Sequence, residues 1–183
     1  IEGLSNIHAV GLAHMDIKPE NIFYRFVDGR SLGEFKEQPR LEDLVIKYGD
    51  LGFACTYRTD ATAPHLAQCQ PQGTPDFMAP EIIRIYLILY RTYPLRLQVA
   101  QKADVWSLGL TLWDLIYREF TLSDAGEKYL RNGNSFRYNV IYDTFRRSLT
   151  RRSYIPSLRR VFATMIEKSP SWRASTNELV GYF

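Results

Sequence analysis

His14-Met15-Asp16-Ile17-Lys18-Pro19-Glu20-Asn21 is the stretch on which the reading of this chain turns. It sets an aspartate, a lysine and an asparagine at relative positions 0, +2 and +5. On its own, an aspartate before Lys-Pro reads as a turn or a helix cap. Three more blocks follow in order: Asp50-Leu51-Gly52, then Gly73-Thr74-Pro75-Asp76-Phe77-Met78-Ala79-Pro80-Glu81, then Asp104-Val105-Trp106-Ser107-Leu108-Gly109. An isolated Asp-Leu-Gly is equally bland, a tight turn whose backbone glycine tolerates best. The fixed order of the four blocks outweighs the bland reading of each.

Working outward, residues 1–12 carry Leu4, Ile7, His8 and Gly11-Leu12, a pattern that predicts the last turns of an amphipathic helix stopping at Gly11. A helix that begins at residue 1 without a capping side chain suggests truncation. Ile22 to Val27 and Leu44 to Tyr48 are rich in β-branched and aromatic residues and predict a short hairpin. The polar stretch 28–43 between them reads as an insertion at the hairpin tip, where added length is tolerated because closure entropy grows only logarithmically. Ala103 to Tyr117 is apolar on every side, which predicts a helix buried all round. Further helical patterns run over Asn139 to Leu149, Ser157 to Glu167 and Thr176 to Tyr182.

Composition narrows the class. The chain is 45% hydrophobic and 23% charged over 183 residues, which fits one globular core. Its net charge of +3 is too mild to indicate a nucleic-acid partner by itself. Arg146, Arg147, Arg151, Arg152, Arg159 and Arg160 form the sharpest basic cluster, read first as a solvated face and second as a patch for an acidic substrate or anionic partner. Cys55 and Cys69 share no metal-ligand spacing with each other or with His8, His14 and His65, and two cysteines make no disulfide framework for a chain of this length. A reducing, intracellular setting is therefore expected, cytoplasmic with a nuclear one left open. The first residues lack the build of a signal peptide. The longest apolar run, Ile82 to Tyr90, contains Arg84 and falls short of the ~20 residues a membrane span needs, so no membrane partner is expected.

Together the four blocks resemble the lower, mostly helical lobe of a eukaryotic-type protein kinase. The catalytic loop would be 14–21, the activation segment 50–81 and the central helix about 103–117. The resemblance covers 1–183 and implies a mainly α fold with a short β-hairpin, the C-terminal lobe alone. Thirteen residues precede His14, too few for a Gly-rich loop, a strand lysine and its helix glutamate, so an upper lobe or upstream chain is an implied partner.

The resemblance also assigns roles. Asp16 would orient the substrate hydroxyl and accept its proton, and Lys18 would stabilise the transferring phosphoryl group. Asn21 would coordinate a magnesium ion, and Asp50 would hold the Mg2+ that bridges the phosphates of ATP. Thr74 would link the substrate loop to Asp16, Glu81 and Arg173 would form a buried ion pair, and Asp104 would cap the catalytic-loop backbone, with His14 as further support. Lys18 and Thr74 favour serine/threonine over tyrosine in a protein substrate. The implied activity is ATP- and Mg2+-dependent protein phosphorylation, with nucleic acid not expected as a partner.

Three positions depart from the family pattern. Met15 stands where kinases switched by loop phosphorylation carry arginine, so a phosphate on Thr56, Tyr57, Thr59 or Thr62 would lack its catalytic-loop partner. Leu51 replaces a phenylalanine and Phe77 a tyrosine, neither of which removes a catalytic atom. The competing reading is a pseudokinase-like interaction module or a truncated gene product without the ATP-binding lobe. A docking module needs none of Asp16, Lys18, Asn21 and Asp50, and their joint retention argues for the enzyme.

Overall fold

The computed structural model describes residues 1–34, 40–56, 69–88, 95–117 and 156–182. In chain order they form α1 (Glu2–Ala9), β1 (Leu12–Ala13), β2 (Ile22–Phe26), β3 (Leu44–Tyr48), β4 (Cys55–Thr56), α2 (Pro80–Ile88), α3 (Leu97–Tyr117), α4 (Pro156–Met165) and α5 (Thr176–Val180). The class is mainly α with small antiparallel sheets.

Helix α3 organises the rest because it is apolar on two sides. Ala103, Trp106 and Leu110 face one hydrophobic cluster with Met15, Met78, Ile82 and Phe162. Val105 and Leu108 face a second cluster with Leu4, Ile17, Met165 and Leu179. Every residue from Ala103 to Thr111 is buried, and a helix serving two cores can present no polar face there. Gly109 lets α4 approach, since a Cβ would lie 3.1 Å from both Met165 Cβ and Ile166 Cγ2. Trp113 meets Phe162 edge-on, with ring centroids 5.7 Å apart.

Two expectations for this helix are corrected. It begins at Leu97, six residues before the apolar stretch, because Gln98, Gln101 and Lys102 give its first turns a polar side that the all-apolar pattern passed over. Burial also stops short of its end, where Leu115 and Ile116 are exposed.

The hairpin forms as predicted, β2 pairing antiparallel with β3 from Ile22↔Tyr48 to Phe26↔Leu44. Val27 leaves the ladder but donates its N–H to the Asp43 carbonyl, closing the neck of the 28–43 stretch. A second sheet has no counterpart in the sequence reading: β1 pairs with β4 through Leu12↔Thr56 and Ala13↔Cys55. Two-residue strands leave too little alternation to be read from sequence. The predicted helix at 139–149 and Arg146, Arg147, Arg151 and Arg152 lie outside the described residues, while Arg159 and Arg160 are exposed on α4.

Helix α5 has a complete capping box, with Ser175 and Glu178 exchanging side-chain to backbone hydrogen bonds. It packs on α1, where Ser5 Oγ donates to Asn177 Oδ1 at 2.8 Å. Among the described residues no helix is long and apolar enough to cross a membrane.

Candidate active site

The loop from His14 to Asn21 is held from below by one carboxylate. Asp104 Oδ2 accepts the His14 N–H at 2.6 Å and Oδ1 accepts the Met15 N–H at 2.7 Å. These bonds fix a backbone that Met15 enters with φ 68, a conformation a long side chain adopts only when its surroundings impose it. His14 is fully buried and joins two segments: its Nε2 lies 2.9 Å from the Gly49 carbonyl oxygen, and its Nδ1 accepts the Asp16 N–H at 3.3 Å. The tautomer with its proton on Nε2 satisfies both contacts.

Asp16, 4% exposed, is the point on which the polar groups converge. Thr74 donates to Oδ1 twice, from its backbone N–H and its hydroxyl, each at 2.7 Å. Asn21 Nδ2 donates to Oδ2 at 3.0 Å and to the Asp16 carbonyl at 2.8 Å. Lys18 Nζ lies 3.1 Å from Oδ2 and donates to Thr74 Oγ1 at 2.8 Å. Burial pushes the Asp16 carboxyl up, but the hydrogen bonds from Thr74 and Lys18 together outweigh it and hold the group below the usual carboxylate range. The approach of Thr74 depends on Gly73, whose φ is +123 and whose Cβ, if present, would collide with the Met15 carbonyl oxygen.

Asp50 sits apart from this cluster, exposed and in a left-handed conformation at φ 58, its Oδ1 accepting the Gly52 N–H at 3.2 Å. The Gly49 N–H donates to the Asn21 carbonyl at 2.9 Å and so ties the Asp50 turn to the 14–21 loop. Among the described residues no three His, Cys, Asp or Glu side chains form a cage for a metal. The donor set still fits magnesium: hard oxygens from Asp50 and Asn21 suit an ion that keeps waters and takes most of its other ligands from phosphate.

Glu81 and Arg173 meet as predicted. The guanidinium donates to both carboxylate oxygens, at 2.6 and 2.9 Å, and to the carbonyls of Lys102 and Glu167, over the Trp106 ring.

Several participants were not read from the sequence. His8 Nε2 lies 3.0 Å from Asp104 Oδ2 and its Nδ1 3.2 Å from Thr176 Oγ1, which links α5 to the carboxylate under the 14–21 loop. Gln101 Nε2 donates to the carbonyls of His8 and Leu12. Both partners come from distant elements, and no local pattern reports them. The reading of Cys55 and Cys69 as too few for a disulfide framework is corrected: they are joined in a disulfide, because the β1–β4 pairing and the Leu95 bridge bring their Cα atoms to 5.1 Å, and the cysteines no longer argue for a reducing setting. Tyr57, Thr59 and Thr62 lie outside the described residues, and Thr56 Oγ1 donates to the Gly11 carbonyl.

A family profile described as the protein kinase domain matches residues 1–182. The interferon-induced, double-stranded RNA-activated protein kinase of Mus musculus is 29% identical over 182 residues, covering 98% of this chain and 27% of that protein. Serine/threonine-protein kinase ppk34 of Schizosaccharomyces pombe is 32% identical over 178 residues, covering 95% and 38%. Serine/threonine-protein kinase GL21140 of Drosophila persimilis is 31% identical over 113 residues, covering 62% and 11%. The chain thus spans about a tenth to two-fifths of the length of these relatives. With the profile matching nearly its whole length, this chain belongs to the protein kinase domain family.

Proposed function

We propose that this chain is the helical, substrate-holding lobe of a serine/threonine protein kinase and that its site transfers the γ-phosphoryl group of ATP to a protein hydroxyl. The observation that carries the proposal is the convergence of Thr74, Lys18 and Asn21 on the Asp16 carboxylate. Phosphoryl transfer asks a protein for positioning and charge neutralisation more than for covalent chemistry. A carboxylate kept ionised by these donors is a weak base, and it suits that chemistry by orienting the attacking hydroxyl and taking its proton only late, once the forming P–O bond has made that proton acidic. Lys18, beside Asp16, offsets charge on the transferring group. Asp50 and Asn21 would hold Mg2+, which when bound neutralises the nucleotide phosphates. The ring of contacts through Thr74 couples a correctly placed activation segment to a correctly placed Asp16.

The lobe assignment is supported by exposed apolar side chains on the β2–β3 hairpin and just beyond it. Phe23, Tyr24, Val27 and Ile46 on the hairpin, with Leu51 and Phe53 just beyond it, are each at least 41% exposed. An ATP-holding upper lobe would cover such a surface.

Calorimetric titration of the full-length protein with ATP, with and without Mg2+, tests the reading. Asp50→Asn should weaken the magnesium-dependent affinity by about tenfold or more, since it removes a hard anionic ligand. Affinity that is the same with and without Mg2+, or unchanged in Asp50→Asn, would contradict the assignment.

A further inference from the structure

We propose that Cys55 and Cys69 form a redox-controlled staple that closes the base of the activation segment against the catalytic loop, in place of the phosphate clamp that Met15 cannot supply. This rests on the kinase reading for its effect on activity, though not for its effect on structure. The disulfide joins the two points where the described chain leaves and re-enters the 57–68 stretch, with the cysteine Cα atoms 5.1 Å apart. Cys55 lies in β4, hydrogen-bonded to β1, and β1 runs directly into His14. The Cys69 carbonyl accepts the Leu95 N–H at 2.9 Å, two residues before α3, the helix that carries Asp104. The cross-link therefore completes a circuit from the catalytic loop through β4 and the entry of α3 back to the carboxylate beneath that loop.

Met15 lies inside this circuit. It is 6% exposed and packs in the same hydrophobic cluster as Cys55 and Cys69. An apolar side chain there offers nothing to a phosphate, but it does favour a buried disulfide over two solvated limbs. Four residues past Cys69, Gly73 passes under the Met15 carbonyl, and Thr74 then reaches Asp16. Gln72 Nε2 adds a second, weaker tie between the two limbs, donating to the Phe53 carbonyl at 3.1 Å. A two-residue ladder and single hydrogen bonds give little resistance to local opening. A covalent tie between Cys55 and Cys69 holds the two ends together where those bonds alone would let them part.

The chemistry needs an external disulfide, of the oxidised-glutathione class. One cysteine thiolate attacks a sulfur of that disulfide and expels one thiolate, forming a mixed disulfide with the protein. The second cysteine thiolate then attacks the protein-bound sulfur and expels the other. The two cysteine protons end on the two released thiols, so two protein thiols are oxidised and one external disulfide is reduced. A dithiol reductant reverses both steps. Where the surroundings keep thiols mostly reduced, a disulfide of this kind acts as a sensor more readily than as a permanent brace.

The test is hydrogen exchange with mass spectrometry on the full-length protein equilibrated with oxidised glutathione or with tris(2-carboxyethyl)phosphine, beside Cys55→Ala/Cys69→Ala under both conditions. Non-reducing digestion should yield the 55–69 cross-linked peptide from the oxidised sample. Reduction should raise exchange in peptides covering 12–13, 55–56 and 95 by at least about tenfold. The double variant should show the fast pattern in both conditions, which excludes an effect of the reductant elsewhere. Free thiols at both positions after oxidation, or identical exchange in oxidised and reduced wild type, would overturn the staple. Phosphoryl transfer measured on the same samples should fall on reduction by about tenfold. If exchange responds while transfer is equal in both states, the control of activity is overturned. If exchange responds and no transfer occurs in either state, the kinase reading fails and the structural staple stands.

Discussion

Replacing Arg173 with alanine should be among the most damaging single changes to this fold. The guanidinium is fully buried, and it donates to both oxygens of Glu81 and to three backbone carbonyls, with the Trp106 ring 5.1 Å from its centre. Alanine would leave the Glu81 carboxylate, whose side chain is only 15% exposed, without its cation. It would also remove the donors to the Lys102 and Glu167 carbonyls and open a void beside Trp106. Breaking a buried pair from one side costs about 3–5 kcal/mol, whereas an exposed pair is worth under about 1. Against a domain stability of about 5–15 kcal/mol, that is a large share. With a urea dependence of about 2 kcal/mol per molar, the midpoint should fall by roughly 1.5–2.5 M. Arg40→Ala is the control, because Arg40 and Glu42 are 80% and 72% exposed, and its midpoint should barely move. Replacing both partners, as Glu81→Leu with Arg173→Met, should recover part of the loss, since no charge is then stranded. Equal midpoints for Arg173→Ala and Arg40→Ala would refute the argument that Arg173 anchors α2 to the helical base.

Two further outcomes follow from single residues. Burial, with the Asp104 charge as a smaller contribution, pushes the Tyr48 phenol from 10.0 up to about 12. Below pH 10 both states keep the proton and this stability is fully present; between about 10 and 12 the unfolded chain loses its proton first, so stability drops by about 2–3 kcal/mol across the window. Urea unfolding at pH 9 and 12 should show a larger loss for wild type than for Tyr48→Phe, and equal losses would contradict it. Alanines at Thr56, Thr59 and Thr62 together should leave the full-length protein's initial phosphorylation rate within about tenfold, or about 1.4 kcal/mol in the barrier, because Met15 offers no cation to a phosphate. A larger drop on a generic Ser/Thr peptide would show that the segment is phosphate-switched.

Much of this was legible because the relevant signals are short in sequence or strongly periodic. The β2–β3 hairpin showed in its β-branched run, and Asp16, Lys18 and Asn21 lie within six residues of one another. Asp104, Glu81 and Arg173 were placed by motif, and their contacts fall where the motifs implied. What was missed depends on tertiary placement. The Cys55–Cys69 bond spans 14 residues and exists only because β4 and the Leu95 bridge bring both ends to Met15. His8 reads as an ordinary helix residue and Gln101 falls before the expected start of the central helix, and their contacts come from elements distant in sequence. The left-handed backbone at Met15 runs against the propensity of a long side chain and is imposed by the bonds around it, whereas at Asp50 it is a conformation aspartate adopts more readily than most residues.

The proposed phosphoryl-transfer site turns on Asp16. Initial rates of phosphate transfer from ATP to Ser/Thr peptides should be measured for full-length wild type and Asp16→Asn, with Mg-ATP affinity determined on the same preparations. Asparagine keeps the volume but removes the charge and the basic oxygen, so the rate should fall by roughly 10²–10⁴-fold. Affinity for Mg-ATP should stay within about twofold, because Asp16 is bonded to Thr74, Lys18 and Asn21 and acts on the hydroxyl. A rate for Asp16→Asn within about threefold of wild type would contradict the account.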